Sequence, residues 1–267
     1  MEINGILFSP TGTGRRVLER IARGLAIEAT DTVRTLDLTT APNEPASPVV
    51  LDGLAVFVAP VYGGRVAETA VERLGRVRAA REGRTPAVVA VVYGNRDYED
   101  ALLELRDIAV RQGFAPLSGG AFVGEHSYSR PDEGMPIAQG RPDAADCAVA
   151  ERFGAESRTK YEEGKESGWA ELSLPGKRPY KTKGASTPAT PTTDPERCVG
   201  CGRCATVCPT GVVGQTENGT ARSRPEGCIK CCACLKYCPT AARRFDTPYT
   251  ARLFRHFSAR REPELFL

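Results

Sequence analysis

Nine of the chain's ten cysteines fall between Cys198 and Cys238, and eight of them stand in one spacing written twice. The pattern C-x2-C-x2-C-x3-C-P places Cys198, Cys201, Cys204 and Cys208 ahead of Pro209, then recurs thirty residues on as Cys228, Cys231, Cys234 and Cys238 ahead of Pro239. Three cysteines at two-residue intervals make a loop that can wrap one iron–sulfur cubane, but too tight for the fourth to reach the same cubane. Zinc is the competing occupant. Zinc knuckles usually use two separate C-x2-C elements, whereas the third cysteine of each run, the x3-Cys-Pro ending and the repeat itself favour iron–sulfur clusters. Disulfides would suit a secreted miniprotein. Here the chain enters the strand-like Ile3–Phe8 directly, with no basic n-region or cleavage site, and reads as cytoplasmic. No apolar run approaches the length of a membrane span. Cys232 aligns with Gly202 of the first copy and reads as a non-ligand, and Cys147 as a small buried hydrophobe.

This segment closely resembles two-cluster bacterial ferredoxins, in which the fourth cysteine of each run crosses to the other cluster. The resemblance implies one [4Fe–4S] cluster on Cys198, Cys201, Cys204 and Cys238, and another on Cys228, Cys231, Cys234 and Cys208. The 19 residues between Cys208 and Cys228 exceed those of compact members and predict a longer hairpin, turned at Asn218-Gly219. Net charge is −4 over residues 1–165 and +7 over 166–267. A basic half could mean nucleic acid, but two oxidised clusters on eight thiolates add roughly −2 each, so much of the excess offsets cluster charge and no nucleic-acid partner is expected.

The first 165 residues read as strands alternating with helices. Apolar runs at Ile3–Phe8, Val33–Leu38, Leu54–Ala59 and Ala87–Tyr93, with a glycine-interrupted one at Phe114–Val123, predict five strands. Helical stripes follow at Val17–Leu25, Val66–Val77 and Ala101–Ala109, and a last helix with a thin apolar face is expected over about Ala144–Lys165. That alternation implies a doubly wound parallel sheet covered on both faces. A Pro/Ala loop over Ala41–Pro48 separates the second and third strands. The expected organisation is an α/β domain over 1–165, a Pro/Thr-rich linker over 166–195 that sets the distance to the clusters, a cluster domain over 196–246 and a basic tail over 247–267 forming a short helix packed back on the protein. Within the linker, Leu174–Tyr180 is less bland and is expected to dock on a domain surface.

Ser9-Pro10-Thr11-Gly12-Thr13-Gly14 lies where the first strand gives way to the first helix. Small residues there let backbone N–H groups and hydroxyls close on a phosphate. A third glycine for the dinucleotide fingerprint would stand at Val17, and no Gly-Lys-Ser/Thr follows, so neither the Rossmann nor the Walker pattern is met. Arg15 and Arg16 adjoin the loop.

Phe8–Thr13 resembles the FMN phosphate loop of flavodoxins, a fold of strand order 2-1-3-4-5. The resemblance implies an FMN held by Ser9, Thr11, Gly12, Thr13 and Gly14. Two further loops would enclose its ring, carrying Pro60, Tyr62, Gly63 and Gly64, and Tyr93, Gly94, Asn95 and Arg96. Gly14 departs from the Thr, Ser or Asn common in flavodoxins and removes one hydroxyl donor. Stacking candidates are Tyr62, Tyr93, Tyr98 and Tyr128. Arg65 and Arg96 could balance charge on a reduced flavin, and His126 could either tune the flavin or hold a loop through a backbone hydrogen bond.

The whole chain resembles a family of anaerobe proteins that fuse a flavodoxin-like domain to a two-cluster ferredoxin, through Tyr93–Arg96, Gly124–Ser129 and Pro175–Tyr180. The two clusters, with the flavin, point to an electron carrier with a redox partner protein. The alternatives are a flavin-dependent reductase of a small molecule, a flavin-free two-cluster carrier with a docking domain, and a regulatory protein using the basic tail Arg252–Arg261. No nucleophile–base pair for hydrolytic chemistry is visible, and no catalytic residue is assigned.

Overall fold

The computed structural model describes residues 1–40, 48–184 and 189–267. The Pro/Ala loop expected over Ala41–Pro48 thus lies, but for Pro48, outside the described residues, as does Thr187-Pro188 of the Thr/Pro run.

Five parallel strands build the central sheet: β1 (Glu2–Leu7), β2 (Thr32–Asp37), β3 (Leu54–Tyr62), β4 (Thr85–Tyr93) and β5 (Phe114–Val123). They lie side by side in the order β2-β1-β3-β4-β5, the order 2-1-3-4-5. Register runs Ile3 opposite Val33 and Leu54, Ala55 opposite Ala87, and Thr85 opposite Phe114. Every residue of β4 is buried, as a central strand covered on both faces demands, whereas β2 at the edge is mostly exposed.

Side chains alternate between two apolar layers. Ile6, Phe57, Val89 and Val91 face α2 (Glu68–Leu74) and α3 (Ala101–Arg111), while Ile3, Leu7, Val56 and Val88 face α1 (Thr13–Leu25) and α4 (Ala144–Gly164). The helix expected over Val66–Val77 is shorter than its stripe. Val66 and Val77 belong to short strands flanking α2, which ends at Leu74 before Gly75.

Two local features explain what the apolar pattern alone left weak. The apolar face of α4 is thin because α4 meets α1 through glycines. A β-carbon on Gly24 would stand 1.9 Å from the Glu151 carbonyl, and one on Gly154 2.2 Å from the Ile21 carbonyl, so the two backbones approach more closely than side chains allow. Asp143 and Asp146 cap the start of α4 reciprocally. In β5, Gly119 and Gly120 do not interrupt the strand; they make room for Leu174 and for the Phe122 ring.

The stretch expected to be a linker is, over its middle, a strap fixed to α3. Lys177 and Lys181 donate backbone N–H groups to the Asp100 carboxylate (2.9 and 2.7 Å), and Arg178 grips Asp107 with both ends of its guanidinium. Arg65 lies over the Tyr180 ring at 4.7 Å.

The cysteine-rich module follows: β6 (Thr192–Thr193), α5 (Arg203–Thr206), β7 (Val213–Gln215), β8 (Ala221–Ser223), α6 (Ala233–Lys236) and β9 (Arg243–Arg244). β7 and β8 form an antiparallel hairpin whose turn holds Gly219 at φ 77°, and β6 pairs with β9. The tail is more than a helix. After α7 (Tyr249–Phe257), β10 (Glu264–Phe266) joins the main sheet antiparallel to β5, Glu264 opposite Ala121.

Candidate functional site

The carboxyl ends of β1, β3, β4 and β5 open onto one pocket, as ligand sites do in doubly wound sheets. α1 begins there with Gly12 in the left-handed conformation (φ 79°), with no side-chain cap and no acidic residue in its first turn. Its first backbone N–H groups are therefore available to an anion. The Thr11 and Thr13 hydroxyls stand 3.4 Å apart at the same end, and the Ser9 backbone N–H is tied to Thr39 Oγ1 at 2.8 Å. Gly14 is explained by packing, since a β-carbon there would press on Ser9 and on Val58 at 3.1–3.3 Å. The Ser9 hydroxyl occupies that space and accepts from the Arg15 N–H. The two arginines turn elsewhere, Arg15 to Asp37 and Arg16 to the carbonyls of Arg141 and Pro142.

Of the residues expected at a flavin, Ser9, Thr11, Thr13, Gly14, Pro60, Tyr62, Gly63, Tyr93, Gly94 and His126 line this pocket, together with Tyr128. Gly12, Gly64, Asn95 and Arg96 do not. Gly12 shapes the loop from behind, and Gly64 packs on Glu99. The Asn95 amide donates to the carbonyls of Phe257 and Ala259 in the tail, and Arg96 pairs with Glu99 at 2.7 Å. Arg65 is likewise committed, to Glu104. The Tyr93 ring lies 5.4 Å from the Tyr98 ring, and the Tyr98 hydroxyl donates to Glu264, so Tyr98 is drawn off while Tyr62, Tyr93 and Tyr128 line the cavity.

His126 holds the loop. Its Nδ1 accepts the Tyr128 N–H at 3.0 Å, so a neutral ring carries its proton on Nε2. Burial, aided by the Arg96 charge, pushes its pKa down to about 4. Gly94 is obligatory beside it, because a β-carbon would lie 2.3 Å from the imidazole Cδ2.

The pocket, about 200 Å³, is below the usual 300–1,000 Å³, but an adjoining open cavity of about 510 Å³ shares Thr11, Glu125, His126 and Ser127 with it. Two of its lining residues escaped the sequence reading: Ile229 and Lys230, contributed by the second cysteine run. No local signal marks them, since their position depends on how the module docks. Arg73 of α2, buried, donates to the carbonyls of Leu38 (2.8 Å) and Pro209 (2.6 Å), pinning the chain after Cys208 to the sheet. Lys236 approaches Glu125 at 3.9 Å, and the Tyr128 ring packs 5.3 Å from Phe245.

The cysteines gather into two groups. Cys198, Cys201, Cys204 and Cys238 line one cavity; Cys208, Cys228, Cys231 and Cys234 line another, so each run sends its fourth cysteine to the other's cavity. Cys232 lines the second cavity too, but its sulfur is directed to the Lys230 carbonyl at 3.6 Å. Among the described residues no three Cys, His, Asp or Glu side chains close on a single-ion site. Burial pushes the Cys204 and Cys234 thiols up, and the Arg243 guanidinium opposes that shift at both. Small cavities ringed by four thiols fit cubanes, whose corner irons hold their ligands apart.

Two families, each described as a 4Fe-4S dicluster domain, match the chain, one over residues 190–239 and the other over 145–212. The first span holds both cysteine runs; the second holds only the first run, with α4 ahead of it. No curated protein matches. Among solved structures, an archaeal flavodoxin is 12% identical over 61% of this chain and 99% of its own (TM-score 0.38), and Bacillus cereus flavodoxin 1 is 16% identical over 60% and 98% (TM-score 0.43). The Synechocystis Flv1 flavodiiron core is 16% identical over 61% of this chain and 36% of its own (TM-score 0.43). At such values the strand order of the sheet itself carries the fold assignment. The chain joins a flavodoxin-like sheet to a 4Fe-4S dicluster domain, an architecture of electron transfer. That domain implies two clusters and redox partners, and among the described residues no helix is long and apolar enough to cross a membrane.

Proposed function

We propose that this chain is an electron-transfer flavoprotein, holding one FMN over the Ser9–Gly14 loop and two [4Fe–4S] clusters in the cysteine cavities, and exchanging electrons with a separate redox protein. The observation that carries the reading is the wall made by Ile229 and Lys230, which lines the flavin pocket and the second cysteine cavity at once. Bound there, the flavin supplies a two-electron store and each cluster a one-electron step. In this reading residues 1–165 form the flavin unit and 196–246 the cluster unit.

Ser9, Thr11, Thr13 and the first N–H groups of α1 hold the phosphate. Tyr62, Gly63, Gly94 and Tyr128 bracket the ring, neutral His126 keeps its loop in place, and Lys230 sets a positive charge at the pocket wall. The quartet of Cys208, Cys228, Cys231 and Cys234 would hold the cluster beside the pocket wall, and that of Cys198, Cys201, Cys204 and Cys238, whose Cys201 is exposed, would hold the cluster nearer solvent.

The test is an absorbance spectrum with iron and flavin quantification on anaerobically purified protein. About eight irons and one FMN per chain support the reading; zinc in place of iron sinks it, and eight irons without flavin reduce it to a two-cluster carrier. Reduction of a small molecule at the flavin is a second reading, favoured by the open cavity that shares His126 and Ser127 with the pocket. Steady-state turnover with reduced ferredoxin or NAD(P)H would separate the two.

A further inference from the structure

The two halves of the module obey a thirty-residue repeat, and one buried position breaks it chemically. Five residues after Cys208 stands Val213, packed among Cys204, Ala221 and Cys234. Five residues after Cys238 stands Arg243, only 4% exposed. Its guanidinium donates to Cys234 Sγ at 3.7 Å, to the Pro191 carbonyl at 3.3 Å and to the hydroxyls of Thr193 and Ser223. Its Nε is buried with no hydrogen-bond partner, and the residue also lines the cavity of the first quartet. Among the described residues no carboxylate forms an ion pair with it. A permanent positive charge thus lies between the two cysteine cavities, bonded to a ligand sulfur of one and bordering the other.

We propose that Arg243 is a positioning residue that raises the reduction potential of both clusters, and most strongly that of the cluster on Cys208, Cys228, Cys231 and Cys234. The inference rests on the two-cluster part of the functional reading. Each cluster gains one electron on reduction and no proton is needed to balance it, because the guanidinium is protonated before and after. The added negative charge is what a buried, uncompensated cation favours, and a hydrogen bond to a ligand sulfur acts in the same direction. Val213 offers neither, so the repeat that makes the quartets alike leaves their electrostatics unlike.

The experiment compares Arg243→Lys, Arg243→Gln and Arg243→Met with the parent protein, each quantified for iron and titrated anaerobically with redox mediators while the reduced clusters are followed by EPR. If the parent itself lacks about eight irons, the two-cluster reading falls, and this inference with it. With the parent loaded, the neutral variants are expected to shift the oxidised-to-reduced ratio of one cluster at least tenfold toward oxidised, a drop of 59 mV for one electron, while the lysine variant shifts less than threefold. Both potentials staying within threefold in loaded Gln and Met variants overturns the proposal. So does a lysine variant that shifts as far as the methionine one, since packing rather than charge would then be at work. Loss of iron from both neutral variants but not from the lysine variant supports a need for the charge; loss from all three overturns it.

Discussion

Val199 and Ile229 occupy the same place in the two cysteine runs, one residue after the first ligand, yet their surroundings are opposite. Val199 is 68% exposed, whereas Ile229 packs against the core and walls the pocket at the carboxyl ends of the strands. The same contrast runs through the neighbours: Cys201 is exposed and its counterpart Cys231 is buried. Identical ligand spacing thus provides two equivalent stations, and docking makes one face inward and the other outward. A symmetric motif acquires direction from what it leans on, not from its own sequence.

The largest test of that contrast is ligand removal. Cys238→Ala is expected to halve the iron content by emptying the outward station, and Cys208→Ala to do the same for the inward one, with the other EPR signal retained each time. If both variants lose the same signal, the crossed assignment is wrong. Next, Gly94→Val drives a side chain into His126 and is expected to weaken FMN binding at least tenfold, about 1.4 kcal/mol, with eight irons kept; fluorescence of released flavin measures it. Unchanged flavin content would place the ring elsewhere.

A smaller effect concerns acid. The folded His126 binds its proton only near pH 4, whereas the unfolded chain binds it near 6.5. Between those values the unfolded state holds more protons, so stability from this group is complete above about 6.5 and is lost as pH falls toward 4. Urea midpoints of the parent should therefore drop more between pH 7 and pH 5 than those of His126→Gln, by on the order of 1 kcal/mol per pH unit. Parallel pH profiles would show that the histidine is not held neutral. The smallest expected effect is at the outward face. Val199→Asp should slow electron exchange with an external partner about threefold, near 0.6 kcal/mol, with iron and flavin contents unchanged. Ile229→Ala, its mirror, should instead slow flavin-to-cluster exchange and leave the external rate alone.

Much of this was written locally. The two cysteine runs are each written within a dozen residues, while their crossed grouping came from the resemblance; the strands follow from apolar runs, clearest in the wholly covered Thr85–Tyr93. The Ser9–Gly14 loop at the head of the first helix was legible because its small residues sit together in the chain. What escaped was set by partners far away. Glu264–Phe266 is too short to show a period, and its pairing strand lies more than 140 residues earlier. Asn95 and Arg96 read as ring contacts by position, but the tail and Glu99 claim their side chains. Lys230 reaches the pocket at the strand ends only because the module docks there. Glycines misled: Gly119 and Gly120 looked like breaks in a strand and are clearances for Leu174 and Phe122.

The residues flanking the cysteine module are anchored on either side of it. Before it, the strap over 177–181 is bonded to α3; after it, Arg261 donates to the Arg96 carbonyl and the last strand closes onto β5. Under the proposed function, these bonds on both sides of the module would set the spacing between the pocket and the cysteine cavities. Internal electron exchange in that reading would be insensitive to solvent viscosity, leaving only the meeting with an outside protein to diffusion.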